Sequence, residues 1–137
     1  MESISIFENL KRIIRLYSTP KFLYLNKFIK THPQGGKIKV LDIGCGNRSP
    51  SLTVSLFPKI EYYGLDKEDY NLTVEDLNIL ENRYFKIDLE DLSDLDHCLR
   101  DNYFDFVIMN HVIEHTKNGL EILKTIAKKI KIGGVYT

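Results

Sequence analysis

Cysteine is scarce in this chain. Cys45 and Cys98 are the two present in 137 residues. They show neither metal-type spacing nor an evident pairing, which argues against a disulfide framework and against a cysteine metal site. Reduced thiols in a cytoplasmic protein are expected instead. No apolar run approaches the roughly 18 residues a membrane helix needs, so no membrane span is expected. The N-terminus is polar and lacks a continuous apolar core, so no signal peptide is expected. There are no internal repeats and no low-complexity segments, which excludes solenoid architectures. Nor is there any net charge: 19 Lys and Arg balance 19 Asp and Glu. Bulk electrostatics therefore name no partner.

What is present is ordinary in amount and uneven in arrangement. A hydrophobic fraction of 43% and a charged fraction of 28% suit a globular protein of single-domain size. Residues 1–39 carry eight Lys or Arg against Glu2 and Glu8, whereas residues 61–105 are acidic. A basic N-terminal face suits nucleic acid or an anionic membrane. A solvated helix surface beside an acidic domain explains the same charges, and is the preferred reading.

The pattern divides the chain into a helical segment, 1–35, and an alternating domain, 36–137. Ser5 and Glu8 form a capping box, followed by Phe7, Leu10, Ile14 and Tyr17 at helical spacing. Pro20 opens a second helix with Phe22, Leu23, Leu25, Phe28 and Ile29 on its apolar side, ended by Pro33 and Gly35-Gly36. These helices are expected to cover the sheet edge or the mouth of a site. Strands are then expected at Ile38 to Ile43, Ile60 to Leu65, Arg83 to Ile87 and Phe104 to Met109. Helices are expected at Ser49 to Phe57, Val74 to Glu81, Leu92 to Leu99 and Leu120 to Lys131. In the last helix Leu120, Leu123, Ile126, Ala127 and Ile130 point inward. Gly133-Gly134 stops it, and Val135-Tyr136 begins a fifth strand. Such alternation predicts an α/β fold: a Rossmann-like, doubly wound, mostly parallel sheet with right-handed crossovers.

The most telling stretch is Val40-Leu41-Asp42-Ile43-Gly44-Cys45-Gly46-Asn47, an apolar strand running into a glycine loop. Glycine there lets backbone approach a ligand that a Cβ would block. Asp66 closes the next strand, 20 residues after Gly46, where a carboxylate suits the two hydroxyls of a ribose. Taken alone, an Asp at a strand end is a turn or cap residue.

Four segments in order, VLDIGCGNRS, YYGLD, YFKIDLEDL and FDFVIMNHVIEH, spaced about 22 residues apart, resemble the class I S-adenosylmethionine-dependent methyltransferases. The resemblance covers Gly36 to Thr137. It implies S-adenosylmethionine as cofactor, with Asp42, Gly44, Cys45 and Gly46 at its amino-acid end and Asp66 on the ribose. Lys67 departs from the family's usual apolar residue there, although its aliphatic stem can still pack. The resemblance places Asp88 on the adenine amino group and Leu89 on the ring; as an alternative, Asp88 caps the acidic helix that follows. It places Asn110 and His111 beside the transferable methyl. His111 and His115 are the candidates to orient or deprotonate an acceptor, because imidazole titrates near neutrality. The family's sheet has seven strands and this chain stops in the fifth. The sequence therefore reads as an incomplete seven-strand fold with an exposed edge, through which homo-oligomers are possible.

The acceptor expected is a small molecule, such as a sugar or a lipid-linked intermediate. The Asn-Pro-Pro-Tyr motif of amino-group DNA methylation is replaced by Asn110-His111-Val112-Ile113, which argues against that nucleic-acid branch, and a nucleic-acid partner is not expected. Three other readings compete. His111 to His115 matches the H-x-x-E-H zinc-hydrolase pattern, but no third ligand of the usual kind follows, so no metal is expected. A nicotinamide-binding fingerprint would need a third glycine where Ser49 stands. A cofactor-binding or interaction module without catalysis is the remaining alternative.

Overall fold

The computed structural model describes residues 5–32, 36–110 and 112–136. They form two compact units, Met1–Gln34 and Gly35–Thr137. The first holds α1 (Ile6–Ser18) and α2 (Pro20–Thr31), packed on each other. The Glu8 amide donates to Ser5 Oγ at 3.1 Å, satisfying one donor that a helix start leaves unpaired. Pro20 opens α2, where a missing N–H costs nothing, and Phe22 and Leu25 are its buried residues.

The second unit is a five-stranded parallel sheet: β1 (Lys39–Ile43), β2 (Glu61–Asp66), β3 (Tyr84–Lys86), β4 (Phe104–Met109) and β5 (Ile130–Tyr136). Its strand order is β3-β2-β1-β4-β5. Val40 pairs with Tyr62 on one side and with Phe106 on the other, so β1 is central and both its neighbours run parallel to it. The chain steps left from β1 to β3, then returns across to β4. That reversal opens a crevice at the carboxyl ends of the central strands.

Side-chain alternation splits the sheet into two faces. Leu41, Ile43, Tyr63, Leu65 and Val107 form a core with Leu95 of α5 (Leu92–Cys98) and with Ile122 and Ile126 of α6 (Gly119–Ala127). On the other face Asp42 meets Ser49 of α3 (Ser49–Leu56), and Gly64 lies under Leu80, just beyond α4 (Val74–Ile79). Helices thus cover both faces, as strands apolar on both sides require. Each fully buried residue such as Phe106 or Ile108 contributes about 1.5–3 kcal/mol.

The largest departure from the sequence pattern is at the C-terminal side. α6 ends at Ala127, and β5 starts at Ile130 rather than at Val135. Ile122 is buried where Leu120 was expected, and Leu120 is exposed. The physical reason is Lys129. Its ammonium is buried and donates to the Asp96 carbonyl and carboxylate and to the Asp101 carboxylate, at 2.7–2.8 Å. Those bonds turn the chain at the α6–β5 corner, and Phe104 then pairs with Ile130. Gly133-Gly134 lies within the strand, beside an irregular register between Phe104 and Phe106. No described helix is long and apolar enough to cross a membrane.

Candidate active site

The crevice at the strand ends is a cleft of ≈ 300 Å³. It is at the small end of the range for small-molecule sites. Gly44, Asp66, Lys67, Asp88, Leu89 and His115 line it, and Leu65, Ile87, Glu90, Val112 and Thr116 complete the wall.

The glycine loop is held from within the protein. Gly44 has φ +80°, and a Cβ there would lie 2.9 Å from Val112 Cγ2. A Cβ at Gly46 would lie 2.8 Å from the Tyr70 carbonyl and 3.2 Å from Asp66 Oδ2. At Gly46 the crowding group is the loop after β2. That loop pairs with the glycine loop through Asn47 N–H to the Tyr70 carbonyl, 2.8 Å, and Arg48 N–H to the Asn71 carbonyl, 3.2 Å. At Gly44 the neighbour is a cleft-lining side chain, and the surface gained by lacking a Cβ is cleft surface.

Asp66 Oδ2 accepts the Gly46 N–H at 3.0 Å, and Oδ1 accepts the Lys67 N–H at 2.7 Å. These bonds point the carboxylate along the rim with lone pairs left for hydroxyl donors. Asp88 follows the neighbouring strand, β3. Its Oδ1 accepts the Glu90 N–H at 3.0 Å, and its Oδ2 is 3.6 Å from Lys67 Nζ. Lys67 thus spans the rim toward Asp88 rather than leaving its end free. The helix-cap alternative for Asp88 falls to Asp91, whose side chain accepts the Asp94 N–H at 3.0 Å and starts α5.

Three of the expected residues sit elsewhere. The Asp42 carboxylate is buried, and Ser49 Oγ and Tyr62 Oη both donate to it. It anchors the strand end beneath the loop and does not line the cleft. Burial and the Asp42 charge push the Tyr62 phenol well above its ordinary pKa, so that hydroxyl stays a donor. The Cys45 side chain is buried against the Gly64 position. Burial, reinforced by Asp42 and Asp66, raises its thiol far above the ordinary range, leaving it inert. Asn110, exposed at the end of β4, is not a lining residue. His111 lies outside the described residues.

His115 ends the one-turn 3₁₀ helix Ile113–His115, and its Nε2 is 3.6 Å from Glu114 Oε1. A zinc-type arrangement would need both histidines on one regular helix, and this turn is three residues long. Among the described residues no group of three His, Cys, Asp or Glu is placed to hold a metal ion.

Sequence reasoning missed Val112, Thr116 and Glu90. Glu90 accepts the Lys117 N–H at 3.0 and 3.3 Å, tying the loop after β3 to the loop after β4. Its only sequence signal was its place two residues after Asp88.

A family model described as "Methyltransferase domain" matches residues 41–137. A ubiquinone biosynthesis O-methyltransferase of Rickettsia bellii is 29% identical over 116 residues, covering 82% of this chain and 46% of that protein. The chain thus spans about half the length of the curated relatives it matches. Among solved structures, an arsenic(III) S-adenosylmethionine methyltransferase from Chlamydomonas reinhardtii superposes with a TM-score of 0.52 at 21% identity, covering 77% of this chain and 39% of that one. An S-adenosylmethionine-dependent methyltransferase from Methanococcus maripaludis, described as putative, gives 0.52 at 16% identity, covering 99% and 65%. At these identities the structures speak for the fold alone. The order of the four segments, the strand order and the matching family model agree: this chain belongs to the class I S-adenosylmethionine-dependent methyltransferases, whose cofactor is S-adenosylmethionine.

Proposed function

We propose that this cleft holds S-adenosylmethionine and that the protein transfers its methyl group to a hydroxyl of a small-molecule acceptor. The observation that carries the reading is the pair Asp66 and Asp88. They lie at the ends of neighbouring strands, on one rim of a cleft with the apolar walls Leu65, Ile87, Leu89 and Val112.

The residues fit such a group. Asp66, already fixed by two backbone donors, accepts the ribose hydroxyls. Asp88 accepts the amino group of the base, and Leu89 and Ile87 cover its faces. The Gly44 backbone, which has no Cβ to fill the cradle, borders the amino-acid end. Asp42 acts from below, holding the strand end through Tyr62 and Ser49. When bound, S-adenosylmethionine supplies a methyl carbon on a cationic sulfur, ready for displacement. The protein supplies alignment, bringing reacting atoms to about 3–3.5 Å.

His115 lines the cleft and takes the proton of an acceptor hydroxyl through its imidazole, with Glu114 Oε1 3.6 Å from its Nε2. The name of the Rickettsia relatives, an O-methyltransferase, supports a hydroxyl acceptor.

Incubation with methyl-labelled cofactor and matched phenol, catechol and amine acceptors tests this reading. Label on a hydroxyl acceptor, reduced about 10²–10⁴-fold in His115→Gln at pH 7, is expected. Label on amines alone overturns the hydroxyl assignment.

A further inference from the structure

No residue of α1 is among those lining the cleft, and α1 gathers its large apolar residues on one side. Ile6, Phe7, Leu10, Ile13 and Ile14 recur at the spacing of one helical face, and all five are exposed, by 51 to 86%. Sequence positions off that stripe hold Glu8, Lys11, Arg12 and Arg15. Apolar and charged residues are thus segregated along the helix rather than mixed. The helical unit, residues 1–34, has six Lys or Arg and two acidic residues. Isolated apolar side chains on a surface are ordinary, whereas a contiguous stripe of five large ones calls for a partner.

We propose that α1 is an interfacial helix that lays its Ile6–Ile14 face into an anionic lipid surface. Three observations favour this occupant. A helix in which an apolar stripe is set against a largely basic remainder has the composition of one that lies in the plane of a bilayer surface. The cationic excess of the segment complements negatively charged headgroups, where each basic residue near the surface adds to binding. The area argues against a second copy. A 13-residue helix is about 20 Å long and offers a few hundred Å² on one face. Two such faces together stay short of the ~1,200 Å² of a stable protein interface. A lipid surface has no such threshold, because apolar insertion and charge act together.

The test is co-sedimentation of the whole chain with vesicles of phosphatidylcholine alone and of phosphatidylcholine with 30% phosphatidylglycerol, at low and at 0.5 M salt. Preferential binding to the anionic vesicles is expected, weakened at high salt. A drop of at least tenfold is expected in the double variant Leu10→Asp, Ile14→Asp. Both residues are exposed, so the variant keeps its fold, which circular dichroism checks. Sedimentation velocity runs in parallel. Absence of binding to anionic vesicles overturns the proposal, as does binding that the double variant leaves unchanged. So does a dimer that the variant converts to monomer, which would assign the face to a second copy. The outcome is independent of cofactor binding.

Discussion

Asp66 Oδ2 accepts the Gly46 N–H at 3.0 Å, so the acid that ends β2 also holds the glycine loop that follows β1. One side chain thereby fixes two walls of the cleft. Asp66→Ala should lower S-adenosylmethionine affinity more than the loss of a ribose contact alone, by over tenfold, because it also releases the loop. Amide exchange at Gly46 separates the two effects. It should speed up in Asp66→Ala without ligand and stay slow in Asp88→Ala.

Glu90 joins the two loops on the other side through the Lys117 N–H. Glu90→Ala should accelerate hydrogen exchange across residues 112–118, and Glu90→Gln, which keeps an acceptor oxygen, should restore most of the protection. Unchanged exchange in Glu90→Ala would show that this loop is held by other means.

Asp76 is buried and accepts from the Thr73 and Ser51 amides at 2.8 Å and from the Thr73 hydroxyl. Burial alone would raise its pKa; the hydrogen bonds outweigh it and hold the carboxyl below the usual range. Because the folded pKa lies below the unfolded value of about 3.9, the carboxylate stabilises the fold fully above that pH. That stability is lost as pH falls through the folded value. Asp76→Asn should cost about 1–3 kcal/mol in urea unfolding at pH 7. The gap from wild type should shrink below pH 4, and a gap constant from pH 7 to pH 3 would refute the linkage.

Thr53 Oγ1 is a buried hydroxyl without a hydrogen-bond partner among the described residues. Replacing it with the near-isosteric valine should leave stability unchanged or raise it by about 1 kcal/mol, since no bond is lost and a buried polar atom is removed. Thermal unfolding measures this, and a fall in Tm would show that the hydroxyl has a partner.

The sheet and its order of elements were legible because buried parallel strands read as apolar runs, as Phe104 to Met109 does. The α6–β5 corner was not. Its helix end depends on Lys129 reaching Asp96 and Asp101, 33 and 28 residues away, and no local pattern reports such a contact. Asp66 and Asp88 were readable as cleft residues because each ends or follows a strand at the crevice. Asp42, near the end of β1, and Cys45, in the loop, flank Ile43 and Gly44, but strand alternation and burial turn their side chains toward Tyr62 and Gly64. Val112 and Glu90 escaped notice because an aliphatic residue and one acid among several carry no distinctive chemical signal.

The central claim is that the Asp66–Asp88 cleft binds S-adenosylmethionine. Calorimetric titration of the chain with S-adenosylmethionine, and separately with NAD, tests it most directly. The account predicts micromolar binding of S-adenosylmethionine alone, weakened at least tenfold in both Asp66→Ala and Asp88→Ala. Binding of NAD in its place, or S-adenosylmethionine binding that neither variant disturbs, would contradict it.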